Sequence, residues 1–427
     1  MSRKLNSRRR GFTLVELLVA LTGGLFVSLA VFALARDASR FYQREGRLAN
    51  ATVAAVSGFE RLRADIARAG FLATPNVQLD PLVCSRPDGA ATPLLRDLAS
   101  VRIAKGGSPT SDAITANAAQ GYVADGLWLA GSYSSADEFP IRTVDALGGG
   151  SGYLVTLQID SGAMARLGYN AAAATERSAL LQSLFATGRG LRIRDKQGDQ
   201  HYGVIQKAEV DGSGLPQITL GAVPALVFRQ GQTRLCGFQG NETGAQAAVI
   251  NFIKYDLRNL SNKADYPAYE KLYEASSNDA IKTYEKNRTE LVRRELDASA
   301  SDNETELSIN NVQQVELVTE YAVGFRLDIT AITPNPDLSN PAVAFVSQED
   351  GTFESFVGAP GAANPQRIRA LRVRLAVRSR EPDRESNTVA GGFRIGLNVG
   401  GGSNGPFARV RTLQADVMLN NNANATW

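Results

Sequence analysis

Residues 8–21 read RRRGFTLVELLVAL, and they hold two features that decide how the rest of the chain is read. A block of arginines stops at Gly11, and an apolar run begins at Phe12 and continues to Ala35 with a single charge, Glu16. Those 24 residues would span about 36 Å as a helix, enough to cross the hydrocarbon core of a bilayer. Basic residues before the run place the N-terminus on the cytoplasmic side and the bulk of the chain outside. A secretory signal would have a shorter apolar core followed by a small-residue cleavage site. Here the small residue, Gly11, precedes the apolar run. A carboxylate at Glu16 costs a few kcal/mol in lipid, so a partner is expected for it.

The overall composition is that of a folded protein, with 44% hydrophobic and 21% charged residues over 427 positions. The formal charge of +3 is a property of the N-terminus. Subtracting Arg3, Lys4, Arg8, Arg9 and Arg10 from the 46 basic residues leaves 41 against 43 acidic ones. A nearly neutral body gives no electrostatic case for a nucleic-acid partner. Cys84 and Cys236 both follow the apolar run. Exported to an oxidising compartment, they are expected to form a disulfide closing a loop of about 150 residues, stabilising by about 4–5 kcal/mol on chain entropy. Two buried free thiols are the alternative.

Periodicity continues beyond the apolar run. Leu48, Thr52, Ala55, Phe59, Leu62 and Ile66 recur at spacings of three and four, with Arg47, Glu60, Arg61, Arg63, Asp65 and Arg68 off that stripe. One helix over residues 12–69, about 87 Å long, stops at Gly70. Its first half crosses the membrane and its second half packs on a head. Within the span, Gly23 and Gly24 either permit close helix contact or mark a weak point in the helix.

Strands are expected at 126–129, 153–159, 191–194, 202–210 and 218–227, then at 249–257, 290–296, 315–329, 368–378 and 410–419. In LRVRLAVR (371–378), Leu371, Val373, Leu375 and Val377 alternate with Arg372, Arg374, Ala376 and Arg378, giving one buried and one wet face. Those arginines read as an ion-paired sheet face, with an anion site as the lesser alternative. Residues 258–287 form a polar, partly helical insertion, and the stretches 331–366 (Pro334 to Pro365) and 391–405 are loops.

The N-terminal motif resembles a type III signal sequence of the type IV pilin superfamily. By that resemblance, prepilin peptidase cuts between Gly11 and Phe12, leaves residues 12–70 as the N-terminal helix with its transmembrane part at 12–35, and Phe12 is N-methylated. Pairing of the Phe12 amine with a neighbouring subunit's Glu16 would guide assembly, and pairing within one chain is the alternative. Residues 252–257, RTELVRRELD (288–297), EYAVGFRLDI (320–329), the arginine-alternating strand and a strand near the C-terminus are similar to PilW-type minor pilins, with GspJ-type pseudopilins sharing the layout. The resemblance implies an α+β fold: a long N-terminal helix packed on a large antiparallel β-rich head. The head divides into residues 71–245 and a PilW-like part at 246–427. The implied function is a minor pilin, with a minor pseudopilin of a secretion or DNA-uptake system and a displayed adhesive module as alternatives. The implied partners are prepilin peptidase, the major pilin, other minor pilins, a large tip adhesin and the inner membrane.

Catalytic signals are sparse. The lone histidine, His201, rules out a His-based metal cluster. Gly401-Gly402-Ser403-Asn404-Gly405 matches GxSxG by letter only, since no helix pattern follows it. The acidic group Asp302, Asn303, Glu304 and Glu306 fits no EF-hand spacing and reads as a solvated turn. No catalytic residue, metal ligand or cofactor is expected.

Overall fold

One helix, α1 (Leu14–Arg68), runs unbroken for 55 residues in the computed structural model. The structure describes residues 13–88, 92–228, 236–238, 244–260, 266–269, 288–333, 342–380, 396–399, 407–423 and 425. Gly70 follows the helix at φ +75°, a left-handed position that glycine adopts without strain, as the sequence predicts. The exit is pinned: Gly70 N–H donates to Ala130 O at 2.8 Å, and Asn421 Nδ2 donates to Ala69 O at 2.9 Å.

The strands in chain order are β1 (Val101–Ala104), β2 (Gly126–Gly131), β3 (Phe139–Ala146), β4 (Tyr153–Leu157), β5 (Gly190–Arg194), β6 (Gln200–Val210), β7 (Pro216–Leu220), β8 (Gln246–Arg258) and β9 (Glu290–Leu296). A small hairpin, β10 (Ser308–Ile309) and β11 (Val312–Gln313), precedes β12 (Val315–Thr319). The last group is β13 (Ala322–Ile332), β14 (Val343–Val346), β15 (Ile368–Arg378), β16 (Gly396–Asn398) and β17 (Phe407–Met418).

The strand β8 organises the larger sheet. Its first half, Gln246–Ile250, pairs with β5, and its second half pairs with β2 on one side and β9 on the other. Between β2 and β8 the chain forms the run β3-β4-β7-β6-β5, whose two ends both pair with β8. Six antiparallel strands therefore close on themselves as a small barrel. Phe139, Ile141, Val155, Leu157, Leu191, Ile193, Ile205 and Ile218 fill it, joined by Met164, Leu181 and Phe185 from and beside two short helices. Closure removes sheet edges that would otherwise pair with other chains. The sequence of β8, AAVINFIKYDL, is buried on both faces and lacks the alternation of a half-wet strand.

The second sheet, β14-β13-β15-β17-β16, is antiparallel, with Leu327 opposite Val373 and Leu375 opposite Leu413. The second half of α1 packs against both sheets. Ala55, Phe59, Leu62 and Ile66 share one core with Leu127, Ile253 and Leu291 on one side and Leu327, Leu371, Val373 and Val417 on the other. Burying each of the larger side chains contributes about 1.5–3 kcal/mol.

Four expectations are corrected. The 245/246 boundary falls at the start of β8, which belongs to the barrel, so the larger sheet draws on both halves of the head. The 315–329 strand is two strands, broken at Tyr321 with φ +55°. Within 331–366, β13 reaches Ile332, β14 pairs with it, and Phe353, Phe356 and Val357 are buried; apolar side chains overrode a Pro- and Gly-rich composition. In the same way β16 occupies part of 391–405, whose remainder lies outside the described residues. Of 258–287, the described residues include a 3-10 turn at Pro267–Tyr269.

Candidate assembly segment

At the start of α1, Thr13 and Glu16 form a reciprocal cap. The Glu16 carboxylate accepts from the Thr13 backbone N–H and hydroxyl, both at 3.0 Å, and the Thr13 hydroxyl accepts from Glu16 N–H at 3.3 Å. The acid that looked out of place thus satisfies orphan donors at the helix start, which lowers the cost of carrying it into lipid. Gly11 and Phe12, the expected processing site, lie outside the described residues.

From Leu14 to Ser39 the helix is long and apolar enough to cross a membrane, and none of that stretch is buried against the head. Leu17, Leu21, Leu25, Phe32 and their neighbours are exposed around the helix circumference. A cylinder that is apolar on every side is stable only in lipid or among other apolar helices. Around Gly23 and Gly24 nothing from the head approaches, so close packing there is left to another molecule.

The helix is fixed to the head by a buried polar joint. Asp65 lies off the apolar stripe but is only 4% exposed. Its carboxylate accepts from Tyr255 Oη at 2.8 Å and from Arg293 Nε at 2.6 Å, while Tyr133 Oη donates to its backbone carbonyl at 2.9 Å. Burial first, and the neighbouring Asp65 carboxylate second, hold the Tyr255 phenol well above its ordinary pKa, so it remains a donor. Sequence reasoning placed Asp65 among the surface charges of the helix, because a single chain pattern cannot show which strand a charge will meet. At Gly58 the helix comes so close to β12 that a Cβ would overlap the Val318 carbonyl and the Thr319 hydroxyl.

Other candidate residues fall into place within the head. Cys84 and Cys236 are joined, with Cα atoms 5.7 Å apart and a sequence separation of 152. Cys84 N–H donates to Gln200 O at 3.0 Å, so the bond fastens the 75–88 segment to the barrel beside β6. Their sulfurs lie near the Asp199 carboxylate, but sulfurs in a disulfide are not available to a cation. His201 is buried on β6 with its ring 4.0 Å from that of Phe238.

The acidic turn is committed to the protein. Asp302 accepts from the backbone of Glu304 and Thr305, Glu304 reaches Lys254 at 2.6 Å and Arg294 at 2.8 Å, and Glu306 reaches Arg294 at 2.8 Å. Among these, Arg294 and its partner Asp256 have fully buried side chains. On β15, Arg372 pairs with Asp416 at 2.7 Å and Arg374 with Asp328 at 3.2 Å, the ion-paired face that was expected. Ala376 and Arg378 correct that face, since both are buried, Arg378 against the Tyr321 ring. The GxSxG letters lie outside the described residues.

A capped apolar helix, free at its front and built into a β-rich head at its back, is consistent with a pilin-like architecture. Residues 6–22 match the family described as the prokaryotic N-terminal methylation motif. The motif and the apolar N-terminal helix together support a type IV pilin-like protein, a class that includes pseudopilins. Such a motif implies processing by prepilin peptidase, membrane anchoring and assembly with other pilins. No curated protein and no solved structure matches the chain.

Proposed function

We propose that this chain is a minor pilin: a non-catalytic structural subunit that primes assembly of a type IV pilus and sits at or near its tip. The observation that carries the reading is the divided helix, with an exposed apolar front and a back half locked into the head through Asp65. Pulling or packing the front half therefore moves the head as one body. A head of two sheets and a closed barrel suits a subunit present in few copies, because such bulk would crowd a fibre made of this chain alone. In this reading Gly11 and Phe12 are the processing site, Phe12 and Glu16 act in subunit docking, and the head stands in the periplasm before it reaches the cell surface. The partners are prepilin peptidase, the major pilin, other minor pilins and a large tip adhesin, with no cofactor and no nucleic acid.

A second reading has a specific support. The barrel has its own core, and five of its six strands are inserted between β2 and β8, as in a displayed binding module. A minor pseudopilin role shares the same assembly chemistry. The test is pilus formation in cells lacking the protein, cells restored with wild type and cells carrying Glu16→Ala. Loss of pili, rescue by wild type alone and traces of the protein in sheared fibres support the minor pilin. Normal pili with failed secretion or adhesion overturn it in favour of the alternatives.

A further inference from the structure

Immediately after the apolar run ends at Ala35, arginines occur at 36, 40, 44 and 47. The backbone is helical throughout, so at 3.6 residues per turn the four positions fall within an arc of about 80°. Two acids lie in the same stretch, Asp37 and Glu45. Glu45 is drawn to the head, where Arg409 of β17 pairs with it at 3.1 Å. By helical position Glu45 lies on another face, and the four arginine positions outnumber the one remaining acid, Asp37, in formal charge. Beside this arginine stripe, Phe41 and Tyr42 are 60% and 75% exposed, bulky rings of the kind that settle at the boundary between lipid and water.

We propose that this stripe binds the phosphate headgroups of anionic phospholipids in the leaflet through which α1 emerges. The occupant follows from position: the stripe directly continues the membrane-crossing segment, and exposed aromatic residues flank it. Headgroups extend about 5–8 Å beyond the hydrocarbon on each side. On an upright helix, Arg36 and Arg40, about 6 Å apart along the axis, lie in that layer. Arg44 and Arg47 stand about 12 and 16 Å beyond Arg36, more than a Debye length of about 8 Å, and reach lipid only if the helix tilts. The first two arginines therefore carry most of the binding. In the cell this contact would hold the subunit at the membrane surface until extraction into a fibre.

The proposal rests on the reading of α1 as a membrane anchor. The test uses the full-length chain reconstituted in phosphatidylcholine bilayers, with spin-labelled phosphatidylglycerol or spin-labelled phosphatidylcholine as the probe. Both leaflets are alike, so orientation does not matter, and the leader's own basic residues are present in every variant. Immobilised phosphatidylglycerol should exceed immobilised phosphatidylcholine, and the excess should fall with salt. A basic residue near an anionic surface contributes about fivefold in association, and Asp37 is unchanged in the variant, so R36Q/R40Q should lose up to about 25-fold of the preference. R36K/R40K should keep it, and R44Q/R47Q should change it little. Equal immobilisation of the two lipids by the wild type, or a preference undiminished in R36Q/R40Q, overturns the proposal. An undiminished preference with failure of R36Q/R40Q to enter fibres would overturn it in favour of an acidic protein partner. If neither lipid is immobilised, the anchor reading itself fails.

Discussion

Replacing Asp65 with alanine tests whether the helix and head are one mechanical unit. The substitution leaves Arg293, whose side chain is 14% exposed, and the buried Tyr255 hydroxyl without their shared acceptor. Breaking a buried charge pair by removing one partner costs about 3–5 kcal/mol. Arg293 keeps a second carboxylate, Glu316, at 3.8 Å, but that group is half exposed and distant, so the lower end applies, about 3 kcal/mol. The assay is denaturant unfolding of chains lacking residues 1–35, where the midpoint should fall at unchanged slope. Tyr255→Phe removes one hydrogen bond and should cost about 1 kcal/mol. Adding Arg293→Met to Asp65→Ala should recover stability, because the stranded charge is gone. A loss below about 1 kcal/mol for Asp65→Ala, or strictly additive losses in the double variant, would refute the joint.

Other outcomes follow from single features. Gly58→Ala should destabilise the head by about 1–3 kcal/mol through overlap with β12, whereas Gly46→Ala, where nothing lies near, should stabilise by up to about 1 kcal/mol; thermal unfolding distinguishes the signs. Asp125, buried between the sheets and accepting from Gly106 N–H at 3.1 Å and Leu327 N–H at 2.9 Å, has a pKa raised to about 6, with burial the main cause. Its folded value exceeds its unfolded value of 3.8, so its contribution is full below that value and is lost as pH rises through about 6. That loss amounts to about 3 kcal/mol, and Asp125→Asn should flatten the stability profile in this window. Replacing Cys84 and Cys236 with serine should lower stability by about 2–5 kcal/mol, measured against the oxidised chain.

What the sequence made legible was what depends on local pattern. Period and punctuation located α1 and its end at Gly70, and strict alternation located β15. The barrel was not legible, because its closure depends on β8 pairing with β5 and β3, which lie some 50 and 100 positions earlier. β1, β3, β14 and β16 were missed because they are short or interrupted by proline and glycine, and register with a neighbour forms them. The motif around Glu16 was readable because membrane and processing chemistry act on a contiguous stretch. The joint at Asp65 was not, because its partners are 190 and 228 residues away.

The central claim is that the chain is processed and used as a pilin-like subunit, and the mass of its N-terminal peptide from cells tests this most directly. The account predicts a chain beginning at Phe12 and carrying one added methyl group on its amine. An N-terminus that retains residues 1–11, or a cut beyond Ala35 that removes the apolar helix, would contradict it.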